Sequence, residues 1–221
     1  QLILLFTCLE VFWSDRSDFF IAANLTVYYK EEQLEGRKSR GPDFFVVLDT
    51  ERRERKSWVV WAEGGKYPNL IIELLADSTA KKDRGEKKRI YYEVFRTPEY
   101  FWFHPETFEF QGFLWTSQGY EEIPTNEQGW RWSEQLQLFL GVLNCQLRFF
   151  TATGELVPTP EEVANQAQQA TAAERQRAEV ERQRAETEHQ RAEAEHQRAE
   201  AEHQRAEELL RRLREAGLEP E

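Results

Sequence analysis

Two short apolar segments that each carry one carboxylate constrain the fold of this chain most. Residues 42–48 begin with a proline, and Asp43 directly precedes an apolar run. Residues 67–75 repeat the pattern, with Glu73 inside the run. Short apolar runs bounded by turn residues are typical of strands buried on both faces. Because a buried carboxylate is costly unless it is paired, hydrogen-bonded or bound to a metal, we predict that the two carboxylates have partners.

A basic segment follows the second of these strands. Residues 78–96 begin with Ser-Thr, which can cap a helix, and continue with a run rich in lysine and arginine. If Asp43 and Glu73 converge, their oxygens could bind Mg²⁺, a hard cation that prefers oxygen ligands. Two carboxylates followed by a lysine fit metal-dependent phosphodiester cleavage, because the metal activates a water and the ammonium stabilises developing charge.

An ordered set of motifs resembles the PD-(D/E)XK nuclease superfamily and, more closely, its Uma-type group of restriction-endonuclease-like proteins. The motifs are NLTVYY at residues 24–29, PD at 42–43, IELLADST at 72–79, DRGEK at 83–87 and PEYFWF at 98–103. The resemblance covers roughly residues 1–155. The resemblance implies an α/β sandwich with a mixed central sheet, DNA as the partner, and Mg²⁺ or Mn²⁺ as the cofactor.

The resemblance also implies roles for individual residues. It implies metal binding by Asp43, Glu73 and the backbone carbonyl of Leu74, and a catalytic role for Asp43, Glu73 and one lysine. The superfamily pattern expects that lysine two positions after the glutamate, where this chain has Leu75. In the Uma-type group the lysine is displaced to the following helix, and Lys87 is the position that matches.

Three further residues are candidates for the site, and each has a structural alternative. Glu10, near the end of the first predicted helix, could join the metal ligands or be an exposed charge. Asn24 could face the site or serve as a structural bulge. Tyr91 shares a helix face with Lys87 and could contact the site or pack beneath it. Residues expected to contact the DNA backbone are Lys82, Arg84 and Lys88.

Apolar and aromatic patterns complete the predicted domain. In chain order they predict a helix over residues 1–13, a strand over 98–103, a hairpin over 108–123, a short helix within 130–144 and an edge strand over 146–151. This order of elements predicts an α/β sandwich with a mixed central sheet over residues 1–155, and the resemblance implies that the sandwich is restriction-endonuclease-like.

The composition changes after residue 155. We predict a linker over residues 156–174 and a charged heptad-repeat helix or weak coiled coil over residues 175–221. From Gln176 the chain repeats in sevens, as QRAEVER, QRAETEH and then QRAEAEH twice. The repeat places alanine and histidine where a coiled coil normally has branched apolar residues. The repeat is compatible with a lone helix and with a weak oligomer. Self-association could use this helix or the core domain.

Composition bounds the compartment and the partners. A net charge of −11 argues against a general nucleic-acid coating protein. The two cysteines, Cys8 and Cys145, have no metal or disulfide spacing, so we expect both to be reduced and the protein to be cytoplasmic. No apolar run approaches the roughly 20 residues of a membrane span. Because the chain contains no methionine, we expect the natural chain to begin upstream.

The leading interpretation is a Mg²⁺-dependent endonuclease that acts on DNA. The alternative from another class is a catalytically silent binding or scaffolding module that uses the C-terminal helix for oligomerisation. A third interpretation treats Asp43 and Glu73 as a structural carboxylate pair neutralised by Lys87.

Overall fold

The structure of the protein is a computed structural model that describes residues 1–30, 41–76 and 83–215. The chain divides into two compact units, Gln1–Val163 and Ala164–Glu221. The candidate site lies in the first unit.

A six-stranded mixed sheet forms the centre of the first unit. In spatial order its strands are β1 (Phe19–Ala23), β3 (Phe44–Leu48), β5 (Leu70–Leu74), β6 (Glu99–Phe103), β7 (Phe110–Thr116) and β8 (Gly119–Glu122). Strands β5 and β6 pair in parallel and the other neighbours pair antiparallel. The predicted mixed α/β fold is confirmed, and the two strands predicted around Asp43 and Glu73 lie side by side in it.

Two helices, a two-stranded ribbon and a three-stranded sheet complete the first unit, and one further helix begins in it and continues into the second. They are α1 (Leu2–Phe12), a two-stranded ribbon of β2 (Val27–Tyr28) and β4 (Trp58–Val59), a second helix α2, a three-stranded sheet of β9 (Arg131–Ser133), β10 (Leu138–Leu143) and β11 (Gln146–Phe150), and α3 (Pro160–Glu215). Helix α2 consists of a π-helical segment Asp83–Lys87, an α-helical turn Lys88–Ile90 and a second π-helical segment Tyr91–Phe95.

Each face of the six-stranded sheet carries its own hydrophobic core, because alternate residues of a strand point to opposite faces. On one face, buried residues of α1 and of the three-stranded sheet pack against residues such as Phe44, Ile72 and Phe101. On the other face, α2 and the β2–β4 ribbon pack against residues such as Phe45 and Ile71. The packing of other elements on both faces of the sheet thus follows from strands that are apolar on both faces.

The prediction of a short helix within residues 130–144 is wrong, because this region forms β9, a turn and β10. The turn is stabilised by hydrogen bonds to Glu99, a buried carboxylate on β6. Glu99 accepts hydrogen bonds from the hydroxyl of Ser133 and from the backbone N–H groups of Glu134 (2.7 Å) and Gln135 (3.2 Å). A contact across more than thirty residues decides this turn, so local sequence periodicity does not show it.

Helix α3 begins inside the segment predicted as a linker. Thr159 and Glu162 form a reciprocal capping box, in which each side chain accepts the backbone N–H of the other at 3.1 and 2.7 Å. Glu162 also pairs with the buried Arg148 at 2.7 Å. Residues 160–174 of the predicted linker are therefore helical, and α3 runs to Glu215 with no buried residue. Within the described ranges, no helix is both long and apolar enough to cross a membrane.

Candidate active site

The register of β3 and β5 brings Asp43 towards Glu73. Phe44 lies opposite Ile72 in the antiparallel ladder, so one further step of the same register pairs Asp43 with Glu73. Residues directly opposite each other on antiparallel strands have their side chains on the same face. The Oδ2 atom of Asp43 accepts a hydrogen bond from the backbone N–H of Leu74 at 2.8 Å. The Asp43 carboxylate is thereby fixed against the C-terminal end of β5.

Glu73 is fully buried and receives one donor on each carboxylate oxygen. Lys87 Nζ lies 2.8 Å from Oε2, and the Tyr91 hydroxyl donates to Oε1 at 2.6 Å. Both donors come from α2, four residues apart, so one helix face supplies them together. The Lys87 side chain is 16% exposed, and it therefore connects the buried carboxylate with the surface.

Burial and the neighbouring charge of Asp43 raise the pKa of Glu73 to about 8, although Lys87 and Tyr91 act in the opposite direction. Burial and Glu73 raise the pKa of Tyr91 well above its usual value, so the tyrosine acts as a hydrogen-bond donor at neutral pH. The raised pKa of Glu73 means that Lys87 and Tyr91 stabilise the ionised form less than burial and Asp43 destabilise it. A cation shared with Asp43 would supply the missing compensation.

Asn24 and Gly41 position the Asp43 backbone. The backbone N–H of Asn24 donates to the carbonyl oxygen of Asp43 at 2.7 Å, and Asn24 has a left-handed backbone with φ of 52°. These contacts favour the structural alternative for Asn24. At Gly41, an added Cβ would overlap the backbone carbonyl of Leu25. The segment before Asp43 therefore packs directly on the backbone of the preceding loop.

We expect the Gly41→Ala variant to lose about 1–3 kcal/mol of unfolding free energy, because the methyl group would force two backbone segments apart. The matched control is Gly85→Ala on α2, where an added Cβ meets no atom within 4 Å. That control should be neutral or slightly stabilising, because alanine restricts the unfolded chain. Urea denaturation followed by tryptophan fluorescence measures both. Equal stability of Gly41→Ala and the parent chain would contradict the close packing.

The other residues predicted for the site either contact groups outside the Asp43–Glu73 cluster or are not among the residues that the structure describes. Glu10 forms an ion pair with Arg52. Lys88 Nζ lies 3.3 Å from the centre of the Phe113 ring, and burial lowers the pKa of this lysine. Lys82 lies outside the described residues, and the side chain of Arg84 does as well. Of the three residues predicted to contact the DNA backbone, the structure therefore describes the side chain of Lys88 alone.

The donor set around Asp43 and Glu73 fits a hard divalent cation. Mg²⁺ takes carboxylate and carbonyl oxygens and usually keeps several waters, so one or two carboxylates suffice for it. The described parts of the chain contain no group of three or more His, Cys, Asp or Glu residues that could hold a metal. A two-carboxylate site that needs waters to complete it is consistent with both observations.

The first unit is therefore a mixed α/β fold with two carboxylates on neighbouring strand segments, Asp43 before β3 and Glu73 on β5. A lysine on α2, Lys87, contacts Glu73. The chain belongs to the Uma2 family, whose model, described as "Putative restriction endonuclease", matches residues 1–148. The resemblance seen in the sequence is thereby confirmed, and membership supports a nuclease-like role.

One solved structure similar to this chain is the crystal structure, at 1.96 Å resolution, of "a putative nuclease belonging to DUF820" from Anabaena variabilis ATCC 29413. The two chains share 12% sequence identity and superpose with a TM-score of 0.43. The likeness covers 61% of this chain and 70% of the other. No curated protein matches this chain.

A second buried carboxylate, Glu99 on β6, was not predicted from the sequence. Burial raises the pKa of Glu99 to about 7, while its bonds to Ser133 and two backbone N–H groups lower it. The side chain packs on the sheet face opposite to Glu73, since it contacts the turn that follows β9. A signal was present, because Pro98-Glu99 repeats the proline–acid start of Pro42-Asp43.

Proposed function

We propose that the chain is a metal-dependent endonuclease that hydrolyses DNA phosphodiester bonds, with Mg²⁺ or Mn²⁺ as its cofactor. The observation that most supports this function is the contact between Lys87 Nζ and Glu73 Oε2 at 2.8 Å. Asp43 lies beside this pair, because its carboxylate accepts a hydrogen bond from the backbone N–H of Leu74, the residue after Glu73 on β5. A lysine on α2, a glutamate on β5 and an aspartate just before β3 thus lie together in a chain whose family model is described as "Putative restriction endonuclease".

Asp43, Glu73 and the carbonyl of Leu74 would hold the cation. A bound Mg²⁺ polarises a phosphate oxygen and makes a water a better nucleophile at neutral pH. Lys87 is the member of the cluster that reaches the surface, because its side chain is partly exposed while its ammonium contacts Glu73 Oε2. We propose that this ammonium turns from Glu73 to the attacking water or to the phosphate and stabilises negative charge there.

Tyr91 would keep Glu73 oriented while Lys87 moves. Its hydroxyl bonds the other carboxylate oxygen, Oε1, at 2.6 Å and remains protonated at neutral pH. Because burial raises the pKa of Glu73, the carboxyl must lose a proton before it can bind a cation. Cleavage at limiting metal concentration should therefore increase as the pH rises towards 8.

The DNA partner would be held without base recognition. We propose that Lys82, Arg84 and Lys88 contact backbone phosphates, which position a duplex but carry no sequence information. A cytoplasmic location is part of the same proposal. Cys8 is buried and Cys145 exposed, and both are free thiols, which supports a reducing compartment.

Nicking of supercoiled plasmid by the full chain tests this function. We expect nicked and then linear product with millimolar Mg²⁺ or Mn²⁺ and intact plasmid with EDTA. Isothermal calorimetry with Mg²⁺ alone separates the two main alternatives. The absence of binding heat near neutral pH, together with intact plasmid, would favour the catalytically silent binding module, in which metal binding is weak or absent.

A further inference from the structure

A shallow cavity of about 270 Å³ lies beside the face of α2 that carries Lys87. The residues that line it are Gly85, Lys88, Arg89, Tyr92 and Tyr120. The four that belong to α2 are spaced three or four residues apart, so they are neighbours on one helix face. Lys87 and Tyr91, which contact Glu73, occupy the adjacent face. Helix α2 therefore presents one face to the proposed catalytic site and the next face to this cavity.

Aromatic side chains form much of the cavity surface. The ring centres of Tyr92 and Tyr120 lie 5.5 Å apart, and the ring centre of Tyr92 lies 5.9 Å from that of Trp115. The Tyr120 hydroxyl donates to the backbone carbonyl of Thr97 at 2.9 Å. The indole N–H of Trp115 donates to the backbone carbonyl of Tyr92 at 3.1 Å. These contacts hold the aromatic group in place without a ligand.

Two cations border the aromatic group. Burial lowers the pKa of Lys88, while Glu122 acts in the opposite direction. Glu122 is itself paired with Arg131 at 2.8 Å, so an anion in the cavity would stabilise the charged form of Lys88 further. The Arg89 side chain is 72% exposed and pairs with Glu93 at 3.5 Å. Because exposed pairs of this kind contribute little, the guanidinium can exchange its carboxylate for a phosphate.

Aromatic rings beside cations match the chemistry of an unpaired nucleotide. Any base can stack on an aromatic ring, and lysine and arginine attract its phosphate. A base inside a duplex is covered on both faces by its neighbours and cannot stack here. Stacking strengthens binding by roughly five- to a hundredfold per base, and extruding a paired base costs a factor of similar size. The cavity therefore favours DNA in which the base is already unpaired.

A strand bound at the proposed catalytic site can reach the cavity. Lys88 directly follows Lys87, and Tyr92 is the fifth residue after Lys87. At about 1.5 Å per residue of α-helix, Tyr92 lies at most roughly 7.5 Å from Lys87 along the helix axis. Stacked nucleotides of one strand are about 3.4 Å apart along its axis, so the base in the cavity belongs to a nucleotide about two positions from the cleaved bond.

We propose that this cavity between α2 and β8 binds an unpaired nucleobase of the cleaved strand and thereby selects DNA with a single-stranded segment beside the cleaved bond. Tyr92 supplies the stacking surface, and Lys88 and Arg89 contact the phosphates. Stacking does not depend on the identity of the base, so the DNA is still bound without sequence recognition. The inference rests on the nuclease function proposed above and names the class of its substrate.

Fluorescence anisotropy of labelled DNA with the full chain, in Ca²⁺ instead of Mg²⁺, tests the inference. The probes are a blunt duplex and duplexes with a 5′ or 3′ thymine overhang, all with the same number of phosphates. We expect the dissociation constant of at least one overhang duplex to be about tenfold lower than that of the blunt duplex. Tyr92→Ala should abolish this preference, and Tyr92→Phe should keep it, because a phenyl ring still stacks. Unchanged binding of the blunt duplex would show that both variants are folded.

Phe12→Ala is the matched control, because it removes a ring that is 42% exposed from α1, which packs on the opposite face of the sheet. This variant should keep the preference for the overhang. A parent chain that binds all the probes equally would overturn the inference. So would a Tyr92→Ala variant that keeps the preference or that loses blunt and overhang binding to the same extent.

Cleavage of the same probes in Mg²⁺ separates this inference from the nuclease function. Tighter binding of an overhang duplex without cleavage of any probe would support the binding site and overturn the nuclease function. Cleavage of blunt and overhang duplexes at equal rates would support the nuclease function and overturn the inference.

Discussion

Plasmid cleavage by the Asp43→Asn and Glu73→Gln variants is expected to be at least about a hundredfold slower than cleavage by the parent chain. Each amide keeps the size of the side chain and an oxygen acceptor, so the bonds from Leu74 N–H to residue 43 and from Tyr91 to residue 73 can persist. What each change removes is one negative charge from the proposed cation site. Gel quantification of nicked product over time, with Mg²⁺ in excess, measures the effect.

Glu99→Gln is the matched control for these two variants. It also removes a buried carboxylate from a strand of the central sheet, but on the face that contacts the turn after β9. We expect this variant to cleave at the parent rate once the folded fractions are equalised. If Asp43→Asn and Glu73→Gln retained cleavage within about tenfold of Glu99→Gln, the two carboxylates would not be the catalytic pair.

The two site strands were predictable because their signal is local and strong. A proline or turn, an apolar run and one acid recur at Asp43 and at Glu73, and an apolar run that is buried on both faces has few alternatives to the centre of a sheet. The position of Lys87 was not derivable from spacing alone, because a lysine on a basic helix is ordinarily solvated. The resemblance to the family singled out this lysine, and the structure brings it to Glu73.

The turn between β9 and β10 and the start of α3 escaped sequence reasoning for different reasons. The turn between β9 and β10 is capped by Glu99 from another sheet, so the region was misread as a helix. The start of α3 depends on Thr159 and Glu162, whose capping box is a local signal that lies inside the predicted linker. The turn therefore depends on a tertiary contact, whereas the start of α3 has a signal within four consecutive residues.

Glu73 and Glu99 should make the protein less stable as the pH rises, which is opposite to the usual behaviour of paired carboxylates. Burial raises the pKa of Glu73 from 4.5 to about 8 and that of Glu99 from 4.5 to about 7. Between those limits the folded chain holds protons that the unfolded chain has lost. The stabilisation that these two groups contribute is therefore present in full below about pH 4.5. It falls by at most about 1.4 kcal/mol per pH unit for each group as the pH rises.

Urea unfolding of the parent chain between pH 5 and pH 9, in EDTA, measures this slope. We expect the unfolding free energy to fall by several kcal/mol and then to level off above about pH 8. Tryptophan fluorescence reports the first unit alone, because no tryptophan follows residue 132. Carboxylates with lowered pKa, such as Glu63 beside Arg55, lose their contribution below about pH 4.5 and do not interfere in this range.

The variants assign the slope to its two sources. Glu73→Gln should remove the decrease between pH 7 and pH 8, and Glu99→Gln should leave that part intact while flattening the curve below pH 7. Excess Mg²⁺ should raise stability more at pH 8.5 than at pH 6 in the parent chain, because a cation binds the ionised form of Glu73. A parent curve that rose with pH in EDTA would show that Lys87 and Tyr91 outweigh burial. Glu73 would then be ionised throughout the neutral range.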